Sequence, residues 1–176
     1  CRILLIAAAN PCKCGYLYQA ERACNKAPHC GAHYFQHLSG PLLDRFDLCV
    51  HVEATSFTSL QNHELGETTG DIAARVRAAR RCQSLRFSAH DGIHSNADAH
   101  GKLLTQTCAL ATETISWLHK ALDHFQLSPR GYHRMLRVAR TIADLEGSDT
   151  IEKPHLSEAL SFRPFPASGE TAKQAG

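Results

Sequence analysis

Apolar and polar positions divide the chain into two parts with different periods. Near the start, the continuous apolar run at 3–9 predicts a short buried strand. The segment 46–53 alternates apolar and polar residues and is rich in strand formers, so it predicts a second strand. The two segments together predict α/β structure for the first part of the chain.

From Asp71 onward the apolar residues recur at helical spacing, with Asp71 as the expected N-cap. The first of these helices has an apolar line through Ile72, Val76 and Ala79, which we expect to face the core. The predicted helices cover 71–87, 102–108, 111–126, 129–145 and a short segment from Pro154 to Phe162. The second part of the chain is therefore predicted to be all-α.

Polar stretches set the expected domain boundaries. We expect an α/β unit over 1–55, a linker over 56–70, a helical domain over 71–163 and a disordered tail over 164–176. Two strands alone do not form a stable sheet, so the rest of a parallel sheet is expected in an upstream segment. The run at 3–9 is also compatible with the end of a secretory signal, but it lacks an initiator methionine and a basic leader.

Composition narrows the class of protein. The apolar fraction of 43% is ordinary for a globular domain, and the formal net charge of +2 selects no partner. No apolar run reaches the roughly 18 residues of a membrane span. Four of the eight cysteines (Cys12, Cys14, Cys24 and Cys30) are crowded into one loop, whereas disulfides that staple a fold are spread along it. We therefore expect a cytoplasmic protein with reduced thiols.

The helix predicted over 129–145 carries the clearest local signal. Ser128 is a good N-cap, and Pro129 suits the first helical position, where its missing N–H has no partner. The predicted core side of this helix contains Tyr132, Met135, Leu136, Ala139, Ile142 and Ala143. Arg134 and Arg137 lie on the other side, as a solvated face or as a basic ridge. Arg130 lies in the first turn, where the helix dipole repels a cation by roughly 0.3–1 kcal/mol, so a phosphate recruited there is the alternative.

Four segments carry a resemblance to a known family: AAANPCKCGY, LSGPLLDRFDL, ARVRAAR and LSPRGYHRMLRVARTIADL. Together they resemble the magnesium-chelatase-like AAA+ ATPases of the competence protein ComM type, the YifB family, as far as Arg163. The resemblance implies the C-terminal part of an AAA+ parallel sheet followed by a helical lid bundle. It also implies a hexameric, ATP- and Mg²⁺-dependent motor that drives DNA branch migration in natural transformation and recombination. The chain contains no G-x-x-x-x-G-K-[ST], so we expect these residues alone to be inactive.

The resemblance assigns roles to three residues. Asn10 corresponds to sensor 1, which orients the water that attacks the γ-phosphate; an Asn-Pro turn is the structural alternative. Arg45 corresponds to the arginine finger that reaches the ATP of a neighbouring subunit. A surface pair with Asp44 or Asp47, worth about 0–1 kcal/mol, is the alternative for Arg45. Arg130 corresponds to sensor 2, which contacts the γ-phosphate.

The cysteine loop departs from the family pattern. Lys26 stands where the fourth cysteine is expected, and Cys30 follows four residues later. We expect Cys12, Cys14 and Cys24 to hold a tetrahedral zinc, with Cys30 or a neighbouring histidine as the fourth ligand. Free thiols in a surface loop are the alternative.

Other functions stay open. A chelatase-type or protein-remodelling ATPase would use the same nucleotide site and act on protein, and a zinc-loop binding module would have no nucleotide chemistry. The basic run Arg75, Arg77, Arg80 and Arg81 is compatible with DNA phosphates, although a solvated helix face is the commoner explanation. The expected partners are further copies of the chain, in a hexamer, and DNA, without a membrane.

Overall fold

The computed structural model describes residues 4–17, 19, 21–27, 29–35, 40–43, 45–52, 66–125 and 127–163. The helices within these residues are α1 (His29–Phe35), α2 (Gly40–Leu43), α3 (Thr69–Arg86), α4 (Gly101–Thr107), α5 (Thr112–Phe125), α6 (Pro129–Glu146) and α7 (Lys153–Ser161). A 3₁₀ turn covers Asn96–Asp98. The chain divides into a first unit, Cys1–Arg45 with Phe165–Gly176, and a second unit, Phe46–Pro164.

The second unit is a helical bundle built around α6. The predicted core side of α6 is confirmed, since Met135, Leu136, Ala139, Ile142 and Ala143 are buried and Tyr132 is half-buried. Helices α3, α4 and α7 and the 3₁₀ turn all pack against α6. The five helices predicted from periodicity are therefore confirmed, with ends that differ from the prediction by at most two residues.

Both ends of α6 have the caps that its sequence predicts. Ser128 Oγ accepts a hydrogen bond from the Gly131 N–H at 3.0 Å, and Pro129 occupies the first turn. The helix ends at Gly147, which has a left-handed φ of 75°. The Ser148 N–H then reaches back to the Ala143 carbonyl at 2.8 Å, which closes the last turn.

Helix α3 begins earlier and faces differently than predicted. Its N-cap is Thr68, not Asp71: the Asp71 N–H donates to Thr68 Oγ1 at 3.2 Å, and the Thr68 hydroxyl donates to the Asp71 carboxylate at 2.6 Å. Ile72 and Val76, expected in the core, are 43% and 44% exposed. The packed side of α3 and its C-cap instead buries Ala79, Gln83 and Phe87. The longer-range contact with α6 fixes which side is inside, and the apolar line did not reveal it.

The two predicted strands are not formed in the described residues. Residues 4–9 and 46–52 contain no strand, and Leu4, Leu5 and Ile6 are 65–87% exposed, so the prediction of a buried strand is not confirmed there. A strand needs a neighbour that supplies ladder hydrogen bonds, and the described part of the chain offers no strand for this. The second segment instead bonds to the end of the bundle, where the Cys49 N–H donates to the Phe162 carbonyl at 2.8 Å. The parallel sheet is not confirmed.

The expected linker and the expected tail lie mainly outside the residues that the structure describes. Residues 56–65 of the expected linker and the expected tail, 164–176, are not among the described residues. Among the residues that are described, no helix combines the length and the apolar character needed to cross a bilayer.

Candidate functional site

The cysteine loop in the first unit brings the predicted thiols together. The sulfur atoms of Cys12, Cys14 and Cys30 all lie within 4.8 Å of one another, and Cys12 Sγ is 3.0 Å from Cys14 Sγ. Cys24 lies near enough to influence the pKa values of Cys14 and Cys30. Cys12 is fully buried, and the other three cysteines are half-buried. The loop therefore brings three of the four candidate thiols together, and Cys24 lies outside this group of three.

A tight turn aims the first two thiols at the same point. The Gly15 N–H donates to the Cys12 carbonyl at 3.0 Å, and Gly15 has a φ of 81°, which favours glycine. A second chain of turns leads from Cys24 to the start of α1, since the Cys30 N–H donates to the Lys26 carbonyl at 2.9 Å. Lys26 thus forms part of the turn that delivers Cys30.

Helix α1 approaches the first turn closely enough to require a small residue. A Cβ added to Gly31 would lie 2.5 Å from Leu17 Cδ2 and 3.3 Å from the Pro11 carbonyl oxygen. The missing side chain at Gly31 therefore lets α1 seat its neighbour Cys30 beside Cys12.

Their surroundings shift the pKa values of Cys14 and Cys30 in opposite directions. Hydrogen bonds from Cys12 and from the backbone N–H groups of Tyr16 and Cys24 lower the pKa of Cys14 to about 6. Desolvation, followed by the nearby Cys24 and Cys12 thiols, raises the pKa of Cys30 to about 12. Of these two thiols, Cys14 is therefore the more acidic.

Asn10 and Arg45 also belong to the first unit. Asn10 is exposed, does not end a strand as expected, and its Nδ2 lies 3.9 Å from where a Gly15 Cβ would be. Arg45 is exposed directly after α2, and its N–H donates to the Leu42 carbonyl at 2.9 Å. Of its two suggested acidic partners, Asp44 lies outside the described residues, and Asp47 instead accepts a hydrogen bond from Arg134.

The arginines of α6 in the second unit differ in their partners. Arg134 Nη1 donates to Asp47 Oδ1 at 2.5 Å, and Arg137 Nε donates to the Ala99 carbonyl at 2.8 Å. Burial, with a smaller effect from the nearby Arg134 charge, lowers the pKa of Arg137. Neither the solvated face nor the basic ridge describes these two residues. Arg130 is exposed in the first turn, without a hydrogen-bond or ion-pair partner among the described residues.

Buried charges in this unit were not found from the sequence. Asp144 accepts hydrogen bonds from Arg86 Nη2 at 2.5 Å and from Arg140 Nε at 3.1 Å, and all three side chains are mostly buried. Only the spacing of Arg140 and Asp144 by four residues is a sequence signal for this network. Arg163 is also buried, and its Nη1 donates to the Phe46 carbonyl at 3.2 Å.

The basic run on α3 presents one unpaired face. Arg77, Arg80 and Arg81 are exposed at i, i+3 and i+4, so they are neighbours on the helix surface, and they have no partner among the described residues. Arg75 lies on another side and pairs with both oxygens of Glu67 at 2.7 and 2.8 Å.

Two family models match the chain. The model described as magnesium chelatase, subunit ChlI, matches residues 1–60, and the model described as magnesium chelatase, subunit ChlI C-terminal, matches residues 66–163. Among known proteins, the chain is 39% identical over 163 residues to the competence protein ComM of Haemophilus influenzae. It is 37% identical over 163 residues to YifB of Escherichia coli and to YifB of Salmonella typhimurium. Each alignment covers 92% of this chain and 31% of the relative, so the chain spans about a third of the length of these relatives.

Proposed function

Because the chain belongs to the magnesium-chelatase-like family of the ComM and YifB type, we propose that it forms part of a ring-forming, ATP-driven AAA+ motor. The sequence contains no G-x-x-x-x-G-K-[ST], so residues other than these would hold Mg²⁺ and most of the triphosphate. The isolated chain is therefore expected to be inactive, and its contribution to hydrolysis is to supply groups that contact the γ-phosphate.

The position of Arg130 is the observation that supports this proposal most strongly. It is exposed in the first turn of the 18-residue helix α6, where the helix dipole disfavours a cation. Its neighbours Arg134 and Arg137 have protein acceptors, whereas Arg130 has none among the described residues. An anion such as the γ-phosphate would be attracted both by the guanidinium and by the positive end of the helix dipole.

The proposed division of labour uses three residues. Arg130 binds the γ-phosphate of the ATP held by its own subunit. Arg45 enters the site of a neighbouring subunit and donates hydrogen bonds to the oxygens on which charge develops as the phosphoryl group transfers. Asn10 orients the attacking water. Removing the Arg45 guanidinium should therefore cost about a hundredfold or more in ATP turnover while the ring still assembles.

Mixing two inactive variants tests whether Arg45 acts across the subunit interface. In the complete protein, Arg45→Ala and Arg130→Ala should each lose turnover, and Lys120→Ala, which removes an exposed cation from α5, should keep it. In mixed rings, some sites receive an intact Arg45 from one variant and an intact Arg130 from the other, so turnover should partly return. No return on mixing contradicts an arginine finger in trans, and unchanged turnover in Arg45→Ala removes Arg45 from the mechanism.

We propose DNA as the track of the motor, with branch migration as its activity. The exposed basic face of Arg77, Arg80 and Arg81 supports this choice, because unpaired cations on one helix face suit a phosphate backbone. Binding of forked DNA by the complete protein should weaken as salt is raised. Absence of binding would favour a protein-remodelling or chelatase-type motor, and absence of ATP turnover would favour a binding module without nucleotide chemistry. A hexamer in the cytoplasm, where thiols stay reduced, is the expected assembly and location.

A further inference from the structure

We propose that Cys12, Cys14, Cys24 and Cys30 hold one zinc ion as a closed structural site. The zinc site is independent of the proposed motor function, and it is tested by zinc content, which does not depend on ATP turnover. Lys26 lies between Cys24 and Cys30, in the turn that delivers Cys30.

The sulfur atoms of Cys12, Cys14 and Cys30 are close to the positions that a tetrahedral zinc requires, and the Cys24 side chain has to turn toward them to complete the site. Zn–S bonds of about 2.3 Å in a tetrahedron separate the sulfurs by roughly 3.8 Å. Cys12 Sγ and Cys14 Sγ are 3.0 Å apart, and the group with Cys30 lies within 4.8 Å. Binding therefore has to open the first pair by less than about 1 Å and draw Cys30 inward by a similar amount. Side-chain rotation suffices for such shifts.

The ligand atoms already have partners typical of metal-bound sulfur. The backbone N–H groups of Tyr16 and Cys24 donate hydrogen bonds to Cys14 Sγ. Such outer donors orient thiolate ligands and spread their negative charge. With four protein ligands no position stays open for water, which is the arrangement of structural rather than catalytic zinc.

His29 and His33 do not complete the site, and His37, the third histidine near the loop, lies outside the described residues. His29 and His33 are exposed, and neither joins the group of converging ligand atoms among the described residues. Cys30 takes the fourth position because α1 brings it beside Cys12, with Gly31 seated on the first turn. Of the two ligands left open by the sequence, the geometry favours the cysteine.

The described residues of the first unit bury little apolar surface, so a metal would add a constraint that they otherwise lack. Cys12 is the only buried apolar side chain among its described residues, whereas the second unit has a continuous apolar core. A loop without its own apolar core is commonly stabilised by a metal or by disulfides, and none of its described cysteines is in a disulfide. The metal would tie the ends of the segment from Cys12 to Cys30 together.

Metal analysis of the complete protein tests the site. Protein purified under reducing conditions without chelator should contain one zinc per chain by mass spectrometry of the metal. Cys24→Ser and Cys30→Ser should each lower zinc affinity by more than the about 10–100-fold that loss of an outer-shell partner costs. Two control variants should keep the wild-type zinc content. They are Cys82→Ser, which changes an exposed cysteine of α3, and His29→Ala. Zinc-free wild type, or full zinc affinity in Cys30→Ser, overturns the proposal.

Two further readouts keep the test clear if a variant folds poorly. The single tryptophan, Trp117, lies in α5 of the second unit, so native fluorescence in Cys30→Ser excludes general unfolding of that unit as the cause of zinc loss. In wild type, zinc removal by a chelator should speed tryptic cleavage at the exposed residues Lys13, Arg22 and Lys26, and zinc should restore protection. Cleavage at equal rates with and without metal contradicts a structural role.

Discussion

Asp144 has the most consequential single side chain in the second unit. Its carboxylate accepts hydrogen bonds from Arg86, from Arg140 and, at 2.8 Å, from Asn96 Nδ2. Burial by itself raises the pKa of Asp144, but the hydrogen bonds of Arg86 and Asn96 and the two arginine charges outweigh it, so the pKa is lowered. The network connects α3, the 3₁₀ turn and α6, so it holds together elements that are distant in sequence.

Asp144→Asn should destabilise the second unit by about 3–5 kcal/mol, because it leaves two mostly buried guanidinium groups without their anion. Urea unfolding followed by the fluorescence of Trp117 measures this, since that side chain packs against the core of the unit. Asp91→Asn, which changes an exposed carboxylate in the same unit, is the control and should leave the midpoint within the usual scatter of surface substitutions. Equal midpoints for the two variants would contradict the role of the network.

The lowered pKa of Asp144 predicts how the free energy of unfolding responds to acid. A pKa lowered by folding gives stability that is present above the unfolded value, about 3.9 for Asp, and is lost as pH falls through the lower folded value. Unfolding of the wild type should therefore become easier below about pH 4. The free energy of unfolding of Asp144→Asn should depend less on pH in that window. Parallel curves for the two proteins would mean that another group dominates.

The helices could be predicted because their signals are local. The apolar period and caps of α6 lie within the helix and its flanking residues, and they correctly predicted both its core side and its N-cap. The local sequence pattern does not decide whether the two expected strands form, because a strand needs a neighbouring strand. The packed side of α3 depends on contacts with α6, and the partner of Asp144 on α3 is 58 residues away, so neither was predictable. Cys12, Cys14 and Cys30 could be expected near one another because they lie close in the sequence, and the structure brings their sulfur atoms together.

Two glycines in helix-terminal positions should respond to alanine with opposite signs. Gly147 has a φ of 75° and ends α6, so Gly147→Ala should cost about 1–2 kcal/mol through backbone strain alone, since a Cβ there meets nothing within 4 Å. Gly70 lies in the first turn of α3, where an added Cβ makes only an ordinary 3.5 Å contact with Thr68 Oγ1. Gly70→Ala should therefore stabilise by about 0.4–1 kcal/mol. Thermal unfolding of both variants decides; the same sign for both would contradict the assigned backbone conformations.

For the whole molecule, the charges on α3 make the DNA proposal quantitative. A cation that contacts a phosphate releases counterions, so each such arginine contributes about 1 to the slope of log affinity against log salt. Replacing Arg77, Arg80 and Arg81 together by glutamine in the complete protein should reduce that slope by up to about 3 and weaken binding to all sequences alike. Arg75→Gln is the matched control, because Arg75 already pairs with Glu67 on another side of the same helix.

The measurement is a titration of forked DNA at several salt concentrations, with ATP turnover recorded beside it. Turnover without DNA should stay at the wild-type level in the triple variant, because none of the three arginines is assigned to the nucleotide. An unchanged slope in the triple variant would mean that the basic face is only solvated and that DNA, if bound, contacts other surfaces of the ring. A slope reduced by Arg75→Gln by about a third as much as by the triple variant would show that the net charge of α3 matters and the position of its cations does not.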